Sequence, residues 1–388
     1  MKTKMTNPFE QVVGYKEIRK EIEVLSKYGD DFTEQRGEVN ATVDLYHPKV
    51  LNLRVSEIIE ETPLTRTLRM VSETGYLPPF QAGQYVNLFV ETQGVRSSRP
   101  YSIASPPNQR AYYDLTVKAV PDGFVSLYLL DDVKVGDRLS STGPMGGFFH
   151  NPLSHSNEVV YLAGGSGITP MMSMIREVTD RGLERQMHLF YGSRNPDDII
   201  YKEELERLAS MHENLTVDFV ISEPEDGYQG LTGFINGELL QERLGDLTKK
   251  TFFLCGPEAM YKFCRKELEG LDLRRKQIRV EVFGPPGDVT AEPGWPEGLS
   301  GEANFKVKVS DGRTLEVSAG EPLMNGLERK QLVLPAACRS GECSYCRVKL
   351  KSGKVFHAPG TKLRKSDLQF GFIHPCMAYP LTDIEILL

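Results

Sequence analysis

Between Leu334 and Leu350 the chain reads LPAACRSGECSYCRVKL, which sets Cys338, Cys343 and Cys346 in C-x4-C-x2-C spacing. A fourth cysteine, Cys376 in HPCM, follows after 29 intervening residues. A segment that must gather three close thiolates and one distant one has to fold back around them, and few folds do so. Six cysteines in 388 residues are too few for a disulfide scaffold. In a reducing compartment, clustered cysteines serve metals or redox chemistry instead. A single zinc or iron usually draws four thiolates from two C-x2-C knuckles. Three clustered ligands with a remote fourth is the spacing of a 2Fe–2S centre. A four-cysteine zinc site and a chance run of buried cysteines are the competing readings. Ser340, Gly341 and Ser344 are small, which lets backbone N–H groups turn toward sulfur and offset the negative charge of the site. The other two cysteines read differently: Cys264 lies within a helical pattern as a small core residue.

The remainder of the chain divides by pattern. Its length suits two or three domains. A net charge of −7 argues against a nucleic-acid partner. No stretch approaches the ~18 apolar residues of a membrane span, and MKTKMTNPFEQ lacks the apolar core of a signal peptide, so a cytoplasmic location is expected. Over 1–49, Val12, Tyr15, Ile18, Ile22, Leu25 and Tyr28 recur at helical spacing. They predict a helical extension whose apolar stripe packs on the body of the protein, or else serves self-association or docking. Over 50–155, LNLRVSEIIEE, TRTLRMV, QYVNLFVE, YYDLTVKAV and DRLSSTG read as short strands of an antiparallel barrel or sandwich. Strands and helices alternate over 156–284, which implies a parallel sheet flanked by helices. Proline and glycine crowd 285–302, the clearest linker. Over 303–388, two strands joined at Asp311–Gly312 precede the cysteine loop, and DIEILL closes as a strand.

Three further stretches carry chemistry. SSRPYSIASPP, between two expected strands, offers Arg99, Pro100, Tyr101 and Ser102: a guanidinium fork for phosphate, a ring to lie against a flavin and a hydroxyl for its polar edge. Gly123 and Ser126 stand at the start of a helical run, where a helix N-terminus attracts phosphate. Gly164, Gly165 and Gly167 lie between a buried strand and a helix, where bare backbone can approach a pyrophosphate. Past the next strand, Ser193 and Arg194 could hold a 2′-phosphate, whereas Asp197 and Asp198 would repel one. The balance favours NADH over NADPH.

On these residues the chain resembles the ferredoxin–NADP reductase superfamily with a C-terminal plant-type ferredoxin domain. Its cysteine loop is similar to the ferredoxin pattern C-R-x-G-x-C-G-x-C, departing only at Ser344, where glycine is usual. Arg99–Ser102 and Gly123–Ser126 resemble that superfamily's flavin-binding pair R-x-Y-[ST] and G-x-x-S, and GPMGGFF its barrel-closing turn. GGSGITP, with Thr169 and Pro170, resembles G-G-x-G-x-[TA]-P, and Cys255-Gly256-Pro257 resembles C-G-P-x-x-M. The resemblance implies that Cys255 and Gly256 lie by the nicotinamide and that Glu281 and Phe283 border the flavin. It implies a multidomain fold: an antiparallel β-barrel flavin domain, an α/β parallel-sheet nucleotide domain and an α+β β-grasp ferredoxin domain. It also implies an NAD(P)H-dependent reductase carrying FAD, with FMN as the alternative, and a 2Fe–2S cluster. Such a reductase delivers single electrons to a protein acceptor, first of all the terminal oxygenase of a multicomponent system. Alternatives are a diaphorase-like or anaerobic reductase for another acceptor, and an electron-transfer adaptor or redox sensor.

Overall fold

The computed structural model describes residues 14–28 and 36–388, so the expected helical position Val12 lies outside the described residues. The chain divides into two units, Met1–Pro48 and Lys49–Leu388. The first holds helices α1 (Tyr15–Tyr28) and α2 (Arg36–Tyr46). On α1, Ile18, Ile22 and Leu25 are each more than half exposed.

In the second unit six antiparallel strands come first: β1 (Leu51–Thr62), β2 (Thr65–Ser72), β3 (Tyr85–Thr92), β4 (Val95–Ser102), β5 (Tyr113–Lys118) and β6 (Arg138–Ser141). They pair in the order β4-β3-β6-β1-β2-β5, and the bridge Ile103–Leu115 joins the two ends into a barrel. Alternation drives it: Leu51, Leu53 and Val55 point inward while Asn52 and Arg54 face water. Helix α3 (Phe124–Asp131) packs Leu129 into the same core. RPYS differs from its expected place between strands, because it lies within β4. Pro100 breaks the apolar alternation, yet it is tolerated on an outer strand, where its missing N–H costs no inner ladder bond.

The middle domain is a parallel sheet of β7 (Glu158–Gly164), β8 (Gln186–Ser193), β9 (Leu215–Ile221), β10 (Leu231–Thr232), β11 (Thr251–Cys255) and β12 (Ile278–Glu281). Its order is β10-β9-β8-β7-β11-β12. Helices α4 (Ile168–Arg181), α5 (Lys202–Met211), α6 (Gly237–Leu244) and α7 (Glu258–Glu269) cover it. The chain moves outward from β7 in one direction and then returns to place β11 on its other side. The carboxyl ends of β7 and β11 therefore form the crevice where such sheets bind ligands.

The last domain is a mixed sheet, ordered β14-β13-β19-β15-β17, of β13 (Asn304–Val309), β14 (Thr314–Ser318), β15 (Val348–Ser352), β17 (Phe372–Ile373) and β19 (Ile384–Leu387). Helix α8 (Leu323–Arg329), helix α9 (Lys365–Phe370) and the pair β16 (Val355–His357) and β18 (Ala378–Pro380) complete it. The proline-rich 285–302 segment is no loose tether. Val289 is buried in the ferredoxin-domain core, Trp295 stacks edge-on against Phe356 and Tyr379, and Glu292 pairs with Lys262 of α7.

Candidate functional site

The crevice is built from bare backbone. Gly167 lies so close to the carbonyl of Cys255 that a methyl group there would overlap it. Only glycine lets the loop after β7 touch the loop after β11. Gly165 is left-handed, its carbonyl accepts from the Tyr191 hydroxyl at 2.9 Å, and Gly164 sits under Met260. Helix α4 opens with no acidic residue in its first turn, and its N-terminus is free to attract phosphate. Thr169 turns its hydroxyl back to the Ser166 carbonyl, and Pro170 is buried. Pro257 caps α7.

Sheet register brings the two remaining expected groups beside this loop. Cys255 stands between Ala163 of β7 and Glu281 of β12. Burial, then Glu281 alongside, pushes the Cys255 thiol up, so it stays neutral. Burial raises Glu281 as well, followed by the nearby Glu342 and Cys338. Tyr85 pairs across the ladder with Ser102 and meets Phe283 edge-on at 5.9 Å. Ser102 is buried and its hydroxyl has no partner among the described residues, as is true of Glu281 Oε2. Two orphaned buried polar atoms at one mouth fit a bound polar ring edge better than a closed core. Arg99 is drawn down to about 10 by burial and by Arg339, and remains a cation. Ser126 spends its hydroxyl inside its own turn, accepting from the Val120 N–H at 3.2 Å and donating to the Gly123 carbonyl at 3.4 Å. It thus shapes the α3 N-terminus, which Gly123 caps. Ser193 donates to the Asn195 carbonyl, while Arg194 and Asp197 are exposed at the end of β8.

The four clustered cysteines are free thiols arranged as two pairs: Cys338 and Cys343 at 3.3 Å, Cys346 and Cys376 at 3.5 Å. Both separations exceed a disulfide's ~2.0 Å. Among the described residues no three such ligands converge on one ion position. A lone tetrahedral metal would hold all four sulfurs within about 3.8 Å of each other. Two pairs suit a centre of two irons, each taking two thiolates. The N–H groups of Ser340 and Cys343 approach Cys338 Sγ at 3.5 and 3.4 Å, and that of Tyr345 approaches Cys343 Sγ at 3.4 Å. Ser344 has φ +59, the left-handed backbone for which glycine is the usual residue. Its departure from the ferredoxin pattern is therefore a departure at a demanding position.

Comparison with known proteins agrees with this geometry. Residues 52–150 match an oxidoreductase FAD-binding domain, 161–266 an oxidoreductase NAD-binding domain and 307–381 a 2Fe-2S iron-sulfur cluster binding domain. The glycine betaine monooxygenase reductase subunit of Pseudomonas aeruginosa is 31% identical over 347 residues, covering 86% of this chain and 94% of the relative. The chain belongs to this family of flavin and 2Fe–2S reductases. NADH oxidoreductase HCR of Escherichia coli is 28% identical to the reductase, over 86% of this chain and 96% of its own. Phthalate dioxygenase reductase shares the fold with a TM-score of 0.66 at 24% identity, over 87% of this chain and 97% of that one. No helix among the described residues is long and apolar enough to cross a membrane.

Sequence reasoning overlooked two parts of the reductase. Lys118, at the end of β5, brings its amino group beside Gly165, where a pyrophosphate would be approached. Asn87, Ser97 and Ser98 of the barrel meet Glu328, Ala336 and Arg339 of the ferredoxin domain. A lysine in TVKAV carries no signal of its own, and the second set is more than 200 residues apart in sequence.

Proposed function

We propose that this reductase is the electron-supplying component of a multicomponent oxygenase, taking NADH and serving a protein acceptor. Bound here, FAD and a 2Fe–2S centre supply the conversion of a two-electron hydride donor into single electrons. The chain's own residues hold and order these groups. Gly164, Gly165 and Gly167, with Cys255-Gly256-Pro257 opposite, cradle the nicotinamide dinucleotide, and Lys118 adds positive charge. Arg99, Tyr101 and the α3 N-terminus at Gly123–Ser126 hold the flavin. The Ser102 hydroxyl is left to bond its polar edge, while Tyr85 and Phe283 keep water from its face. Cys255 and Glu281, both neutral, border the reacting rings without adding charge. Cys338, Cys343, Cys346 and Cys376 ligate the cluster.

The observation that carries this reading is the pairing of the sulfurs, one pair of which lies electrically next to Tyr85 and Glu281 at the flavin mouth. The single Arg194 against Asp197 and Asp198 favours NADH, and the name of the Escherichia coli relative points the same way. That of the Pseudomonas relative points to an oxygenase as acceptor. An anaerobic NADH titration followed by visible spectroscopy and EPR tests it. Flavin bleaching accompanied by a reduced 2Fe–2S signal is expected, and bleaching without that signal would reject the relay. Absence of NADH-dependent ferricyanide or cytochrome c reduction would favour the adaptor or sensor reading instead.

A further inference from the structure

Arg339, the residue directly after the ligand Cys338, is buried and forms an ion pair with Glu328 of α8, each side chain about 5% exposed. This pair does not lie inside the ferredoxin domain. It faces the strand that carries the flavin residues. Ser97 of β4 donates to Glu328 Oε2 at 2.9 Å, and Arg339 Nη2 donates to Ser98 Oγ at 3.2 Å. Asn87 of β3 donates from one amide both to Ser98 Oγ at 2.9 Å and to the Ala336 carbonyl, two residues before Cys338, at 2.6 Å. One residue beyond Ser98, Arg99 donates back to Ser97 Oγ at 2.7 Å. An unbroken chain of short polar contacts thus joins a cluster ligand's neighbour to the proposed flavin strand. Arg339 also holds φ +52, a conformation that costs a non-glycine residue about 1 kcal/mol and persists only where surroundings impose it.

Stability alone is a poor explanation. A buried ion pair is often no better than an apolar pair of the same volume, because desolvation offsets the attraction. What buried polar groups do well is forbid slippage, since any other register strands a charge or a donor. We propose that Arg339 and Glu328, clasped by Ser97 and Ser98, are positioning residues that fix the ferredoxin domain on the flavin barrel and so set the interval from flavin to cluster. The proposal rests on the reading of the chain as a flavin-to-cluster reductase.

The test uses the full-length holoprotein carrying R339M, R339K, E328Q or S98A, with anaerobic stopped-flow mixing against NADH. Flavin bleaching is expected within about twofold of the parent in every variant. Cluster reduction is expected to slow by at least about tenfold in R339M, because reactions that depend on held geometry respond that strongly to displacements near 1 Å. R339K, which keeps the charge but not the fork, should fall between. Dithionite-reduced EPR spectra should match the parent, and a glutamate-specific protease should cut the 285–302 segment, which carries Glu297 and Glu302, faster in R339M. Where R339M fails to assemble its cluster, E328Q and S98A, outside the cysteine loop, carry the same expectation. Cluster reduction at the parental rate in variants with intact EPR signals would overturn the proposal. A parent that bleaches but never shows a reduced cluster would instead overturn the reading beneath it.

Discussion

Where the flavin barrel meets the nucleotide domain, Ala82, Ala104 and Phe148 enter the core formed by β7, β8 and α4. Where it meets the ferredoxin domain, the two apolar clusters stay separate, and Asn87, Ser97 and Ser98 face Glu328 and Arg339. The first seam does carry polar contacts, such as Arg176 to the Ala104 carbonyl and Ser173 to that of Ser105. They decorate a continuous oily contact. Among the described residues, no apolar cluster spans the second seam. Apolar burial is strong but not directional, and it suits two domains that must share a crevice permanently. Hydrogen-bonded charges add less net energy and more register. The difference suggests a division of labour, in which one seam holds the site together and the other sets a distance.

The largest effect should come from the apolar seam. Phe148 is buried against Phe253, with ring centres 5.2 Å apart. F148A should destabilise the barrel and nucleotide domain together by about 3–5 kcal/mol. Thermal unfolding followed by flavin fluorescence would show it as early release of flavin, whereas the seam variants at Arg339 should leave that midpoint nearly unmoved. Comparable shifts in both would erase the proposed distinction.

A second effect depends on pH. His150 follows Phe148 closely, and its Nε2 lies 2.8 Å from the Ser156 carbonyl, to which the neutral ring donates. Its Nδ1 is buried without a partner among the described residues. Burial lowers it from 6.5 to about 4. The unfolded chain therefore binds a proton more readily than the folded one between those values, and stability must fall as pH drops through that window. The contribution is complete above about pH 6.5. Urea unfolding at pH 7 and pH 5 should show a loss in the parent that H150Q reduces. An equal loss in H150Q would remove His150 from the account.

The smallest effect lies in the cysteine loop at the polar seam. S344G should relieve the left-handed backbone and stabilise the cluster-free protein by about 0.5–1 kcal/mol, with little change in the EPR spectrum of the loaded form. Melting of the apoprotein measures it, and destabilisation would show that the hydroxyl matters more than the backbone.

Much of this could be read before any coordinates. Strongly patterned stretches, such as EVVYLAGG and QMHLFYGS, became β7 and β8 because an apolar run ended by glycine has few other uses in a parallel sheet. VRSSRPYS was not legible as β4, since it alternates no apolar face and contains a proline. Helix α1 was legible as a helix, but its spacing could not say that Ile18, Ile22 and Leu25 would remain exposed. The proline-rich 285–302 segment looked like a free linker because composition cannot show Trp295 docking on Phe356.

Groups that are near neighbours along the chain were legible from the outset: three thiolates within nine residues, glycines where a strand turns into a helix, an arginine close to a tyrosine and a serine. Local spacing fixes such groups because a few bonds limit where they can go. It took the folded arrangement to bring Arg339 across to Ser98, to stand Lys118 by Gly165 and to divide the sulfurs into two pairs. Those contacts join residues that backbone geometry leaves independent, and folding brings them together only when both cores are already in place.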